Sequence, residues 1–214
     1  MFDFYVFDLD GTLVDSRRDL ADSANALLEE CGGAPLPENH IGRMIGEGAA
    51  VLVSRVFAAA RLPLPPDALP RFLAQYDRRL LDHTRPYAGM LETLDVLCGR
   101  APMAVLTNKP LAATRRILDG VGLAPFFGDA VLGGDGPLPR KPEPEGLQHL
   151  ASAAGVAIES TLLVGDSAID WETARRASAR ICLARYGFGF HGFPLEQIRA
   201  EDGVIDSPAD LLRL

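Results

Sequence analysis

The chain opens on an apolar run, Phe4-Tyr5-Val6-Phe7, whose aromatic and β-branched residues favour a strand. The run carries on through Leu9 and breaks at Gly11-Thr12, so the pattern predicts a strand over 4–9. Strand side chains alternate faces, which would point Asp8 and Asp10 the same way and Leu9 the other. Two carboxylates that close repel, and something positive must sit between them. A strand tip built this way asks for a cation, a reaction, or both.

After residue 14 the spacing turns helical for about 70 residues. Leu20, Ala24, Leu27, Leu28 and Cys31 mark one stripe over 19–31, and Gly32-Gly33 end it. Leu52, Val53, Val56 and Phe57 mark a second helix over 49–60, and a third is expected over 70–83. Pro63-Leu64-Pro65-Pro66 reads as a loop and Thr84-Arg85-Pro86-Tyr87 as a return linker. From residue 88 the pattern changes again. Helices over 90–98, 111–121, 143–154 and 168–178 alternate with short apolar strands over 103–107, 130–132, 161–164 and 180–183. Such alternation indicates a parallel sheet covered on both faces. The fold class is therefore α/β, a Rossmann-like doubly wound parallel sheet formed by 1–14 and 86–214, with an all-helical insert over 15–85. Ligands in such sheets bind beyond the carboxyl ends of the strands.

Polar residues gather at those ends. The first tip holds Asp8 and Asp10. VLTNKP ends in Thr107, Asn108 and Lys109, and LLVGDSAID ends in Asp166 with Asp170 a helical turn later. RKPEPE offers Lys141, before a helix that Pro142 is placed to open. Phosphoryl transfer through an aspartyl-phosphate needs this set. A carboxylate nucleophile divides one hard displacement into two easier ones. Mg²⁺ shields its charge from the incoming phosphate. Thr107 and Lys141 are suited to the equatorial oxygens, where transition-state charge spreads. A second acid handles the leaving-group proton and then that of the attacking water.

FDLDGTLVDS, VLTNKP, RKPEPE and VGDSAID, in this order, resemble the four signatures of the haloacid-dehalogenase-type phosphatases over nearly the whole chain. The resemblance implies Asp8 as nucleophile and Asp10 as general acid/base. It implies Mg²⁺ held by Asp8, the carbonyl of Asp10 and Asp166, with Asp170 in support, and a phosphoryl group bound by Thr107 and Lys141. TNKP, VLGGDGPLPRKPEPEGL, the LLVGDSAID run, ARYGFG and GEGAAVLVSRVF are similar to phosphoglycolate phosphatases in particular. Two positions depart from that pattern: Trp171 stands where a smaller aliphatic residue is usual, and Ser178 where glycine is usual. The insert would then be a cap that closes over the site and selects the leaving group. Glycolate is small and acidic, so a cap-side cation such as Arg43 would suit it. Asn108 and the Gly46-Glu47-Gly48 loop, with Gly48 allowing close backbone approach, complete the expected substrate contacts. Lys109 and Arg185 are lesser candidates.

Composition and charge narrow the partners. The 214 residues are 48% hydrophobic, with a formal net charge of −8 and no basic run, which argues against nucleic acid. No apolar stretch approaches the roughly 18–20 residues that span a bilayer, and the first strand does not read as a signal peptide. Cys31, Cys98 and Cys182 are scattered, as for reduced thiols in a cytoplasmic protein, and His40, His83, His149 and His191 lack metal-like spacing. The expected partner is a small-molecule phosphoester, and the expected state a monomer or homodimer. Plainer readings exist for each tip: strand-end acids capping a turn, Thr107 and Asp166 as helix caps, Lys141 as a surface lysine. A phosphosugar mutase, a dehalogenase and a non-catalytic phosphate-sensing module are the alternative functions. A dehalogenase needs neither the metal nor the second acid, and a sensing module would be expected to have lost Asp8 or Asp10.

Overall fold

The computed structural model describes residues 2–191, 193 and 195–214. The first strand, β1 (Phe4–Phe7), is followed by a two-residue strand, β2 (Val14–Asp15). Four helices come next: α1 (Arg17–Glu30), α2 (Glu38–Gly42), α3 (Ala49–Ala59) and α4 (Ala68–Arg79). Strand β3 (Arg85–Pro86) returns antiparallel to β2, pairing Val14 with Pro86 and Asp15 with Arg85. The expected linker thus closes the helical insert as a small two-stranded neck. Beyond it run α5 (Met90–Cys98), β4 (Met103–Leu106), α6 (Leu111–Gly120), α7 (Ala124–Phe127), β5 (Val131–Leu132) and α8 (Glu145–Ala153). The chain ends with β6 (Thr161–Gly165), α9 (Ala168–Ala177), β7 (Arg180–Ala184) and β8 (Gly203–Ile205), then a 3₁₀ segment over Pro208–Arg213.

Six strands form one parallel sheet in the order β5-β4-β1-β6-β7-β8. The β1 strand sits between β4 and β6, where successive crossovers leave in opposite directions, and this opens a crevice beyond its carboxyl end. Register levels the tips: Phe7 pairs with Val105 on one side and Val164 on the other. Period-two alternation divides the sheet's apolar residues between two cores. Tyr5, Phe7, Met103, Val105, Leu162 and Val164 face α5, α6 and α7, in a cluster continuous with Leu20, Leu27, Val56 and Phe72 of the insert. Phe4, Val6, Ala104, Leu106, Leu163 and Ile181 face α8 and α9. The insert therefore shares its core with one face of the sheet.

Several boundaries differ from the expected ones. The first strand stops at Phe7 rather than Leu9, because the chain turns at Leu9–Leu13. Helix α4 runs over 68–79 instead of 70–83. Helix α8 starts at Glu145, and Pro142 lies before it in a turn whose Lys141–Pro142 peptide is cis. Helices α2 and α7 and strand β8 had no clear periodicity to announce them.

A buried carboxylate ties the start of the insert to its end. Asp19, fully buried on α1, accepts bonds from the backbone N–H groups of His83 (2.9 Å) and Thr84 (2.7 Å) and from Thr84 Oγ1 (2.7 Å). Asp19→Ala strands those donors, each costing about 1–3 kcal/mol when buried unpaired. Denaturant unfolding should show a loss of about 2–4 kcal/mol. Ser178 ends α9 in the left-handed conformation, at φ 64° and ψ 25°. Glycine carries no Cβ penalty there, so Ser178→Gly should raise stability by about 0.5–1 kcal/mol, read as a higher Tm.

Candidate active site

The four strand-tip motifs converge, and the two leading acids part company. With β1 ended at Phe7, Asp8 and Asp10 no longer share a strand face. Each finds its own lysine. Lys141 Nζ donates to Asp8 Oδ1 at 2.8 Å and to Asp170 Oδ1 at 2.6 Å. Lys109 Nζ donates to Asp10 Oδ2 at 2.7 Å and Oδ1 at 3.0 Å. Ser16 Oγ donates to Asp10 Oδ1 at 2.5 Å. The expected repulsion is thus resolved by two separate ion pairs, both nearly dry. The Lys109 and Lys141 side chains are 5% and 2% exposed.

Local structure sets these side chains. The Asp8 backbone N–H still donates to Val164 O, so the nucleophile candidate sits one residue past the strand, in register with Gly165. A Cβ on Gly165 would lie 2.2 Å from Asp170 Cγ, and only glycine leaves that carboxylate room. Asp170 does two jobs: Ser167 Oγ donates to its Oδ2 at 2.6 Å in a capping box at the start of α9, while Oδ1 faces Lys141. Asp166 accepts a bond from the Gly189 N–H at 2.7 Å. Gly11, at φ +92°, packs so tightly on it that a Cβ would fall 1.9 Å from Asp166 Oδ2.

Asp8, Asp166 and Asp170 bring carboxylate oxygens within 4.8 Å of one another, and all three residues are buried. Burial pushes the Asp8 carboxyl up to about 6, with Lys141 pulling down and Asp170 pushing up. Burial, then the charges of Asp170 and Asp8, hold Asp166 well above the usual carboxylate range against the Gly189 N–H. Burial works against the Lys141 charge, yet Asp170 and Asp8 outweigh it and raise its pKa above that of an ordinary lysine. Three acids against one lysine leave an excess of negative charge. An all-oxygen, hard donor set of this kind fits Mg²⁺.

A cavity of about 210 Å³ lies over Asp8 and Asp10, between the sheet and the insert. Thr107, Asn108 and Lys109 line it from the core, and Gly46, Gly48, Leu52, Phe72 and Tyr76 from the insert. Thr107 Oγ1 accepts from the Lys109 N–H at 3.2 Å, which leaves its own proton to donate elsewhere. The Asn108 side-chain NH₂ donates to the carbonyls of Gly46 (3.0 Å) and Lys141 (2.9 Å), so it bridges insert and core. One expected contact falls differently. Arg43 is exposed and lines a different cavity, with Arg17 and His191. Arg185 forms an exposed pair with Asp206 at 2.6 Å. Trp171 turns away from the site toward Phe193 and Asp202. Sequence reasoning missed Ser16, Tyr76 and the Gly189 N–H. Ser16 and Gly189 close the stretches FDLDGTLVDS and ARYGFG, whereas Tyr76 lies 66 residues beyond Asp10 and left no local signal.

Comparison with known proteins decides the family. The model of the haloacid dehalogenase-like hydrolases matches residues 2–178. The chain belongs to the haloacid dehalogenase-like hydrolase family. It is 42% identical to a phosphoglycolate phosphatase of Rhodospirillum rubrum over 192 residues, covering 86% of this chain and 79% of that one. A phosphoglycolate phosphatase of Caulobacter vibrioides is 37% identical over 210 residues, 96% of this chain and 87% of that one. The crystal structure of a predicted phosphoglycolate phosphatase from Haemophilus somnus 129pt superposes with a TM-score of 0.90 at 32% identity, over 99% of this chain and 97% of that one. The α/β architecture is accordingly that of haloacid dehalogenase-like hydrolases. Among the described residues, no helix is long and apolar enough to cross a membrane.

The raised carboxyl pKa values set protons and a metal ion in competition for this cluster. Asp8 and Asp166 hold protons more tightly folded than unfolded, so stability falls as pH rises from the ordinary carboxylate range towards 6. A Mg²⁺ ion held by these carboxylates would compete with those protons. Added to EDTA-treated protein, it should raise Tm more at about pH 7.5 than at about pH 5, as thermal melts can establish.

Proposed function

We propose that this phosphatase of the haloacid dehalogenase-like family is Mg²⁺-dependent and cleaves a small phosphomonoester of the phosphoglycolate type through a phosphoryl group carried on Asp8. The observation that carries the proposal is the separation of the two acids. Asp8 sits with Lys141 beside the acidic cluster, and Asp10 sits apart against Lys109 and Ser16. One acid is thereby set to meet phosphorus, and the other to meet the oxygen that leaves.

Asp8 Oδ attacks phosphorus and the bond to the leaving oxygen breaks. Asp10 gives that oxygen a proton. The acyl phosphate on Asp8 is then attacked by water, whose proton Asp10 takes back. Thr107 Oγ1 and Lys141 Nζ bind the phosphoryl oxygens and hold the charge that develops on them. Asp8, Asp166 and the Asp10 carbonyl, with Asp170 behind them, would hold the metal, whose positive charge lets a phosphate dianion approach a carboxylate. The insert over 15–85 serves as the cap. Its apolar wall over the cavity excludes water during attack, and the Asn108 bridge to Gly46 O fastens it to the core beside the site. The modest cavity and the names of the relatives support a small leaving group. The free thiols of Cys31, Cys98 and Cys182 agree with a reducing, cytoplasmic setting.

Phosphate release should be measured with Mg²⁺ and with EDTA on a panel of phosphoglycolate, hexose phosphates, nucleoside monophosphates and pyrophosphate. Release should vanish in EDTA, and phosphoglycolate should show the highest kcat/KM. Asp8→Asn should reduce kcat by at least about a thousandfold and abolish the acid-stable phosphoryl label on the protein, because an amide cannot form the acyl phosphate. Asp10→Asn should still accumulate the adduct while slowing both halves of the cycle by about 10²–10⁴-fold. Turnover of Asp8→Asn near the wild-type rate would remove Asp8 as nucleophile.

A further inference from the structure

The cavity over the two acids is walled mostly by apolar side chains of the insert, Ile45, Leu52, Phe72 and Leu80 among them. An acidic leaving group entering such a space would lose hydration, and a carboxylate buried without a partner costs several kcal/mol. It therefore needs a cation. Among the described residues that line this cavity, Lys109 is the one that carries positive charge. Arg43, on the insert, belongs to the separate cavity with Arg17 and His191. The remaining acid on the wall, Asp77, is engaged by Arg116.

We infer that Lys109 is the specificity-determining residue that receives a carboxylate on the leaving group, exchanging its ion pair with Asp10 for one with the substrate. The inference rests on the phosphatase reading above and deepens it. Three observations support it. Lys109 Nζ lies 2.7 Å from Asp10 Oδ2, so the ammonium group is within a few bond lengths of the oxygen that Asp10 protonates. A carboxylate two bonds beyond that oxygen, as in a two-carbon hydroxy acid, falls within its reach. The ammonium also lies over the Tyr76 ring, 4.6 Å from the centroid, which steadies it on the cavity side when it leaves Asp10. Finally, Asp10 has a second holder: Ser16 Oγ keeps Oδ1 in place at 2.5 Å, so the exchange frees Oδ2 for the leaving oxygen without releasing the side chain. Acidic substrates would thereby ready the proton donor as they bind. Neutral ones would leave Asp10 paired with Lys109.

The test compares phosphoglycolate with ethyl phosphate, which matches its chain length and lacks the carboxylate. Wild-type protein should prefer phosphoglycolate by at least about tenfold in kcat/KM, one ion pair being worth about 1.4 kcal/mol or more. In Lys109→Gln the ratio between the two esters should collapse by about tenfold or more, most of the change appearing in KM for phosphoglycolate. A fall in kcat that is equal for both esters would make Lys109 a support for Asp10 alone and overturn the inference. So would a wild-type enzyme that turns over both esters without preference. Turnover of neither ester by the wild-type protein would instead sink the phosphoglycolate-type substrate reading beneath it. A second measurement needs no variant. Glycolate should inhibit wild-type hydrolysis of ethyl phosphate at least about tenfold more tightly than neutral glycolamide. Equal inhibition would also overturn the assignment.

Discussion

Four carboxylates and two lysines meet at the carboxyl end of the central strand, and the structure depends on how they divide. Lys141 takes Asp8 and Asp170, and Lys109 takes Asp10. Asp166 forms no ion pair among the described residues and leans on the Gly189 N–H. The division leaves two negative charges without a cation, held in a place where water is scarce. That imbalance is the physical basis of the site. With burial, it lifts the proton affinity of Asp8 and Asp166 and suits the cluster to a hard divalent cation.

Holding so much charge in a dry cleft requires a rigid frame. Parallel pairing of β1 with β4 and β6 brings the tips level. Glycines at 11 and 165 allow Asp166 and Asp170 closer than any side chain would permit. The insert beside the cleft is fastened at two places. Asp19 secures the return of the insert to the sheet, and Asn108 bridges Gly46 O and Lys141 O next to the reaction centre. Asn108 thus connects the position of the insert directly to the loop carrying Lys141. This task suits an amide, since two carbonyls require two donors.

Much of this was legible in the chain. Near-continuous apolar strands such as Leu162-Leu163-Val164 and Ile181-Cys182-Leu183 announced a sheet covered on both faces, because burial on both sides leaves no reason for alternation. Asp8, Thr107, Asp166 and Asp170 each lie within two residues of a strand end or helix start, where local chemistry leaves a local signature, and Lys141 stands four residues before α8, beside Pro142. Some short elements were not legible. Helices α2 and α7 and strand β8 have three to five residues, too few to display a period. Arg43 was misplaced for a related reason: a helical loop discloses that a cation is present but not which side of the insert it occupies.

The chain by itself determined the chemistry, since the identity and order of the acids, lysines and glycines at strand tips follow from backbone periodicity and from what each side chain can donate or accept. Only the tertiary structure decided the pairing. Which lysine neutralises which acid, that Tyr76 covers Lys109, and that Arg43 faces another cavity depend on distances between segments far apart in sequence. Those distances are set by packing of the insert onto the sheet, and coulombic energy in a dry cleft varies too steeply with them for order along the chain to reveal the outcome.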